Sequence, residues 1–511
     1  MSLSSPGQVV DVLGGAARGP LRDFLVRQRW FAAKARGLQT VAIEDWAILD
    51  ADRPVLLLLL RLDGERYYVP VSVCAADRAA PADLIVGAGD RAVVDAHEDP
   101  AFVLPLLEAM AAHRELRGRH GRFVCRSPKP ADTTSHQPTV PHALVRITAE
   151  QSNTSVIVDR AVILKSIRRP QPGVNPDVEI LGFLERRRFQ HVPPLAGWID
   201  YLDAQENRAT VAVLQGFVEN AGDGWRYALA GLDALCEALE SPPGLGPAPL
   251  SEARIATLAA PLIGDVKRLG VVTGGLHAAL ASDPHEPAFR PEPVTYEDVG
   301  RWCARIAREL EEVAFDTRAA GAASPPGLDM IREALRGSGG RIDSAVAEVG
   351  LLGSAHTHKI RCHGDFHLGQ VLKTADGFVV LDFEGEPARS LEERVSKHPP
   401  VRDVAGMLRS LSYAVHTAAG RRPPEKRAET LRSLAAWERH ARRAFFEGYE
   451  AAVRNSAVRL APASSEELAR VCAVFELEKA CYELRYELDN RPDWAPIPAD
   501  GILQLLESTR R

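Results

Sequence analysis

The feature that most constrains this chain is a polar segment followed closely by a hairpin signal. Residues 363–370 read HGDFHLGQ, and residues 381–384 read LDFE. Between them, Asp376 and Gly377 separate two short apolar runs. Because Gly tolerates positive φ, this pattern predicts a β-hairpin. The two ends of a hairpin meet, so Gln370 and Asp382 are expected to lie side by side.

The spacing of these side chains also has a chemical meaning. Asp365 lies five residues before Gln370, and Asp382 lies twelve residues after it. Protein kinases space their catalytic loop and metal-binding Asp in almost this way. On that pattern, Asp365 accepts the proton of an attacking hydroxyl, while Gln370 and Asp382 hold Mg²⁺ against the phosphates of ATP. The alternative is that the His and Asp of this loop cap a helix, beside an ordinary surface hairpin. An HGD tripeptide without the other residues would favour that alternative.

Composition sets the broad class. The chain has 511 residues, of which 46% are hydrophobic and 25% charged, as in globular proteins built from two to four domains. A formal net charge of -6 argues against a nucleic-acid partner. The seven cysteines form no CxxC pair, so neither zinc nor a disulfide framework is expected, and a reducing cytoplasm is the expected location. The most apolar run, residues 55–60, reads as a buried strand and is too short for a membrane span.

The order of patterns predicts an α+β chain in three parts. Residues 1–125 mix helical and strand patterns and form a separate N-terminal unit, in which residues 102–117 are expected to be helical. Residues 126–220 start with a Pro-, Ser- and Thr-rich linker and continue as hairpins, typical of a kinase small lobe. Residues 221–511 are mainly helical. The order of the parts thus predicts a kinase-like small lobe followed by a mainly helical lobe.

The middle part offers candidate nucleotide-binding residues. The polar turn at residues 150–155, with Ser152 and Thr154, would cover the phosphates, although it lacks the usual glycines and could equally be a plain turn. Lys165 ends an apolar strand and is the candidate phosphate-binding lysine. Glu179 lies in a helix that starts near Asn175 and could pair with Lys165; a plain helix-start carboxylate is its alternative role.

The last part offers candidate acceptor-binding residues. A helix is predicted over residues 474–490, and Lys479, Tyr482 and Tyr486 share one face by their spacing. A cation beside aromatic rings suits a carbohydrate, whereas a solvated Lys beside packed tyrosines is the alternative. Asp403 begins a further helix and is expected to brace the backbone of the HGD loop.

At this point the chain resembles bacterial maltokinases. The resemblance rests on residues 28–32, 150–155, 173–179, 363–370, 381–393, 402–410 and 478–494. It implies a bilobal, eukaryotic-like kinase fold in which residues 1–125 form an additional N-terminal α/β cap subdomain. It implies ATP-dependent phosphorylation of maltose to maltose 1-phosphate, with ATP and Mg²⁺ as cofactors, in a pathway of α-glucan synthesis. It also implies that Lys479, Tyr482 and Glu384 contact the sugar, and that trehalose synthase is a possible partner protein. Another sugar kinase such as a glucosamine kinase, an aminoglycoside phosphotransferase, and a non-catalytic scaffold are the alternatives.

Overall fold

The structure is a computed structural model that describes residues 3, 5–15, 18–31, 37–128, 143–147, 153–240, 251–315, 331, 333, 343, 346–386 and 389–508. It forms two compact units, one of Met1–Arg186 with Pro193–Val218 and one of Arg187–Val192 with Glu219–Arg511. The predicted linker falls mostly outside the described residues, and Ser152 falls outside them entirely. The predicted boundaries at 125/126 and 220/221 stay predictions.

A six-stranded antiparallel sheet organises the beginning of the first unit. Its strands run in the order β1-β2-β4-β6-β5, and β3 also pairs with β2. They are β1 (Val41–Asp50), β2 (Val55–Leu62), β3 (Glu65–Tyr68), β4 (Val71–Ala75), β5 (Leu84–Ala88) and β6 (Arg91–Asp95). The helices of this region are α1 (Pro6–Gly14), α2 (Arg18–Arg27) and α3 (Pro100–Ala111).

Strand β2 explains why its sequence is apolar without interruption. Alternate side chains of a strand point to opposite faces of the sheet. Leu56, Leu58 and Leu60 enter a core that contains residues of α1 and α2. Leu57 and Leu59 enter a second core that contains residues of α3. The strand is therefore buried on both faces, as its sequence predicted.

One helix prediction was wrong at its end. Residues 102–117 were expected to form one helix, but α3 ends at Ala111. His113 has a φ of 51°, which a continuing helix does not allow. The chain then enters β7 (Glu115–Arg117), which pairs with β8 (Arg122–Arg126). Backbone pairing with a later segment overrode the helical pattern here.

A seven-stranded sheet completes the first unit. Its order is β7-β8-β12-β13-β11-β10-β9. The remaining strands are β9 (Leu144–Ile147), β10 (Thr154–Val158), β11 (Val162–Ser166), β12 (Leu195–Leu202) and β13 (Arg208–Gly216), and helix α4 (Pro176–Arg186) follows β11 in the chain. The hairpin of β10 and β11 places Ser155 directly opposite Lys165.

The second unit is mainly helical. Its helices are α5 (Gly224–Glu240), α6 (Glu252–Leu258), α7 (Ala260–Leu280), α8 (Tyr296–Phe315), α9 (Gly350–Ser354), α10 (Leu391–Val395), α11 (Val401–Gly420), α12 (Pro424–Val453), α13 (Ser465–Asn490) and α14 (Pro496–Ser508). Two small antiparallel sheets interrupt them: β14 (Glu292–Pro293) pairs with the distant β15 (His358–Lys359), and β16 (Val371–Thr374) forms a hairpin with β17 (Gly377–Val380). The predicted fold class, with a cap and a mainly helical C-terminal part, is confirmed.

Two helices of the second unit pack closely against each other. Helices α7 and α12 cross where a Cβ atom on Gly274 would meet the backbone oxygen of Tyr449 at 2.7 Å. Only glycine allows the two backbones to approach so closely.

Within the described ranges, none of the helices is long and apolar enough to cross a membrane.

Candidate active site

The hairpin of β16 and β17 brings two predicted site residues together. Val371 pairs with Val380 at the open end of the hairpin, and the Leu381 N–H donates to the Gln370 carbonyl at 2.9 Å. Just beyond, Nε2 of Gln370 donates to Oδ2 of Asp382 at 3.0 Å. The expected side-by-side placement of Gln370 and Asp382 is therefore what the structure has. Their role as metal ligands stays a prediction.

The neighbourhood of Asp382 suits a hard divalent cation. Asp382 and Glu384 each offer an oxygen, and these two atoms lie within 4.8 Å of one another. Carboxylate and amide oxygens are the ligands that Mg²⁺ prefers, so this donor set fits the ion. The residue Asp382 itself has a φ of 61°, a conformation that non-glycine residues adopt at an energetic cost and often at functional sites.

Glu384 lies beside Asp382, so its carboxylate is a further candidate metal ligand. The positive φ of Asp382 turns the backbone sharply just before it. The predicted contact of Glu384 with the sugar stays a prediction. Glu386, two residues later, lines the candidate acceptor pocket.

Asp403 braces the loop that carries the candidate base. Its carboxylate accepts from the His363 N–H at 2.7 Å and from the Gly364 N–H at 3.0 Å. His277 contacts the same carboxylate at 3.1 Å. Burial alone would raise the pKa of Asp403, but this contact and the neighbouring ones outweigh burial and lower the pKa. The bracing role predicted for Asp403 is confirmed.

His363 ties this loop to the hairpin. Its Nδ1 accepts from the Asp365 N–H at 3.3 Å, so the proton of the neutral ring is on Nε2. That nitrogen contacts the Leu381 carbonyl at 2.8 Å, one residue before Asp382. The loop and the end of the hairpin are thus fixed to each other through one imidazole ring.

Asp365 faces a charged and aromatic group. Its Oδ1 lies 3.3 Å from Nζ of Lys479, and the same ammonium lies 2.6 Å from Oε1 of Glu386. Nζ of Lys479 is also 5.0 Å from the centre of the Tyr482 ring, within cation–π distance. The predicted residues Asp365, Lys479 and Tyr482 therefore meet, together with Glu386, which the sequence did not predict.

The charges of this group hold each other in place. Glu386 is only 4% exposed. Burial alone would raise the pKa of Glu386, but Lys479, Arg402 and Arg389 lower it well below its usual range. Burial would lower the pKa of Lys479, but Glu386 and Asp365 raise it well above its usual value. The carboxylate and the ammonium therefore stay charged together at physiological pH.

A pocket surrounds this group within the second unit. Its wall includes the carboxylates and cations Glu309, Asp365, Glu386, Asp403, Glu478, Arg389, Arg402 and Lys479, and the rings of Phe366, Phe475 and Tyr482. Apolar rings among paired charges can bind the apolar face and the hydroxyl groups of a sugar at once.

In the first unit, Lys165 has an acidic partner that the sequence did not predict. Its Nζ lies 3.0 Å from Oδ2 of Asp177, which is fully buried. The expected pairing of Lys165 with Glu179 stays a prediction. Asn175 accepts from the Asp177 N–H at 2.9 Å and starts the helix, as expected. Two residues along a helix are about 200° apart around its axis, so Asp177 and Glu179 point in different directions.

Thr154 is also placed differently from the prediction. Its hydroxyl oxygen accepts from Nε of Arg168 at 2.8 Å, and the residue is buried. Ser155 lies opposite Lys165 in the hairpin, so these two side chains share one face of the sheet. Thr154 must then point to the other face. Ser155 is the better candidate beside Lys165.

Comparisons with known proteins agree with this architecture. Residues 24–99 match the family described as the maltokinase N-terminal cap domain. The chain is 28% identical over 366 residues to a glucosamine kinase of Streptacidiphilus jiangxiensis, covering 70% of this chain and 73% of the relative. It is also 28% identical over 363 residues to a glucosamine kinase of Mycolicibacterium smegmatis, covering 71% and 79%.

A solved structure shares the fold. A glucosamine kinase in complex with glucosamine, ADP and inorganic phosphate matches with a TM-score of 0.63 and 22% identity, over 92% of this chain and 94% of that chain. The kinase fold that the sequence predicted is therefore confirmed, and so is the resemblance to maltokinases in the N-terminal cap domain.

Proposed function

We propose that this chain is a sugar kinase that transfers the γ-phosphoryl group of ATP to the anomeric hydroxyl of maltose. The maltokinase cap domain at residues 24–99 supports a maltokinase. The two glucosamine kinase relatives support a sugar acceptor in general. The observation that carries the proposal is the contact of Asp365 with Lys479, next to Glu386 and the Tyr482 ring.

In the proposed reaction, Asp365 orients the acceptor hydroxyl and takes its proton as the oxygen bonds to phosphorus and ADP leaves. Lys479 holds one oxygen of Asp365 and donates to sugar oxygens. Gln370, Asp382 and Glu384 would hold Mg²⁺, which neutralises charge on the phosphates when bound. Lys165 would bind phosphate oxygens. Most of the acceleration comes from positioning and charge neutralisation, because the transition state of phosphoryl transfer is loose.

The charges in the pocket favour a neutral acceptor. Within the described chain, each carboxylate on the pocket wall has a cationic or N–H partner: Asp365 and Glu386 contact Lys479, Glu478 contacts Arg305, Glu309 contacts Arg485, and Asp403 contacts His277 and the loop N–H groups. An ammonium on the acceptor would compete with cations already in place and would be repelled by Lys479 and Arg389. Maltose brings no such charge. A polycationic aminoglycoside fits this wall worse than an amino sugar does.

A glucosamine kinase is the second candidate, because the relatives carry that name. An ADP-release assay with maltose, glucose, glucosamine, trehalose and an aminoglycoside separates the candidates. We expect kcat/KM for maltose to exceed that for glucosamine by at least about tenfold, roughly 1.4 kcal/mol of discrimination. ³¹P NMR of the product should show a phosphate on the anomeric carbon.

Two outcomes would count against the proposal. A higher kcat/KM for glucosamine than for maltose would replace the acceptor and contradict the charge argument. ADP release that no sugar stimulates, with intact ATP binding, would support a non-catalytic nucleotide-binding protein instead.

A further inference from the structure

His367 lies between the candidate base and a candidate metal ligand. It precedes the short 3₁₀ helix Leu368–Gln370, and its Nδ1 accepts from the Gly369 N–H at 3.0 Å. A ring nitrogen that accepts carries no proton, so the proton of the neutral imidazole is on Nε2. Nε2 lies 3.8 Å from Oδ2 of Asp365.

The two oxygens of Asp365 therefore face different donors. Oδ1 faces Nζ of Lys479 at 3.3 Å, and Oδ2 faces the Nε2–H of His367. Because Nδ1 accepts from the Gly369 N–H, Nε2 is the ring nitrogen that carries the proton. The distance of 3.8 Å exceeds a hydrogen bond by about 1 Å, and catalytic contacts often shorten in the substrate complex.

The backbone at Gly369 is shaped for this ring. A Cβ on Gly369 would lie 2.9 Å from Cε1 and 3.0 Å from Nδ1 of His367. These distances are shorter than ordinary contacts between carbon and its neighbours, so a side chain at this position would displace the ring. Gln370 is the next residue, so the ring fixes the turn that presents it.

We infer that His367 is a positioning residue that sets the base and the metal ligand at a fixed distance from each other. Its Nδ1 holds the turn that carries Gln370, and its Nε2–H donates to Oδ2 of Asp365 once their 3.8 Å separation shortens in the substrate complex. With Lys479 on the other oxygen, the two donors restrain rotation about the Cβ–Cγ bond of Asp365, so one lone pair stays aimed at the acceptor hydroxyl. The inference rests on the proposed phosphoryl transfer and adds a residue to it.

Two substitutions of His367 distinguish the role of its Nδ1 from the role of its Nε2. His367→Asn keeps an oxygen that can accept from the Gly369 N–H, because Asn is a good cap, but it offers no donor near Asp365. His367→Gln offers an amide N–H farther along the side chain and is a poor cap. His285→Asn, at an exposed histidine of the same unit, is the matched control.

For His367→Asn we expect kcat to fall about tenfold while KM and the Mg²⁺ concentration for half-maximal activity change less than about twofold. For His367→Gln we expect a smaller loss of kcat and a higher Mg²⁺ requirement. Wild-type kcat in His367→Asn overturns the inference, as does the same loss in both variants with no change in Mg²⁺ requirement. If glucosamine replaces maltose as the acceptor, the acceptor proposal fails and the variants are compared on glucosamine.

A second measurement does not depend on any acceptor. In ¹⁵N-histidine-labelled protein, the resonances lost in His367→Asn identify His367. We expect its Nδ1 to be unprotonated and its Nε2–H to shift in Asp365→Asn. A proton on Nδ1, or an Nε2 resonance that ignores Asp365→Asn, overturns the inference even if the enzyme proves inactive towards every sugar.

Discussion

Gly406→Ala should displace the candidate catalytic loop with one methyl group. Gly406 lies in α11, and a Cβ there would meet the backbone oxygen of Phe366 at 2.7 Å. Ordinary contact begins at 3.4 Å, so the loop must move by about 0.7 Å. Phe366 follows Asp365 directly. The loop has little freedom to move, because Asp403 of the same helix holds the N–H groups of His363 and Gly364.

The expected loss is in catalysis more than in folding. Overpacking costs about 1–3 kcal/mol, but Ala gains about 1 kcal/mol over Gly inside a helix, so the net loss of stability is about 0–2 kcal/mol. A displacement approaching 1 Å at the reacting groups can cost about 100-fold in rate. We therefore expect kcat to fall by about 10- to 100-fold with a small change in melting temperature.

The control is Gly264→Ala. Gly264 lies inside α7, and nothing lies within 4 Å of a Cβ built there. It should raise stability by up to about 1 kcal/mol and leave kcat unchanged. ADP release and thermal unfolding of both variants decide the matter. Equal kcat in Gly406→Ala and the wild type would refute the reasoning, because the loop would then tolerate the shift.

Three further predictions follow from the same structure. Asp365→Asn should keep the fold and lower kcat by at least about 1,000-fold in the ADP-release assay; a loss under about tenfold would remove Asp365 as the base. Gln370→Ala should raise the Mg²⁺ concentration for half-maximal activity with little change in melting temperature, and an unchanged requirement would exclude it as a ligand. Burial and Arg168 lower the pKa of His97 to about 4, so the unfolded chain, near 6.5, gains the proton first. The free energy of unfolding should therefore fall by about 2 kcal/mol between about pH 7 and pH 5. His97→Gln should lose this pH dependence in thermal scans, and an equal pH dependence in the variant and the wild type would contradict the prediction.

Local patterns predicted the hairpin and its two polar ends. The turn residue Gly377 and the alternation on either side set the pairing register, so Gln370 and Asp382 had to meet. Asp403 was predictable because it starts a helix soon after the HGD loop. The contact of Gln370 with Asp382 depends on neighbours that are close in the sequence.

Residues that depend on distant neighbours were not predictable. Glu386 contacts Lys479, which is 93 residues away, and no local spacing indicates that contact. Ser155 was missed because the start of β10 could not be fixed to the residue, and a shift of one residue moves a side chain to the other face. Asp177 was missed because the sequence did not fix which side of α4 faces β11.

The second sheet limits how this chain could be shortened. Strand β8 pairs with β12 along residues Trp198 to Leu202, and β7 pairs with β8 in turn. Both strands precede residue 127, so a gene that lost its first 126 codons would leave the backbone N–H and C=O groups on one edge of β12 without partners, while β13 still pairs with the other edge. An open strand edge of that kind recruits other chains and promotes aggregation. Any shortened form of this chain that keeps the second sheet therefore has to keep β7 and β8 or cover that edge by other means.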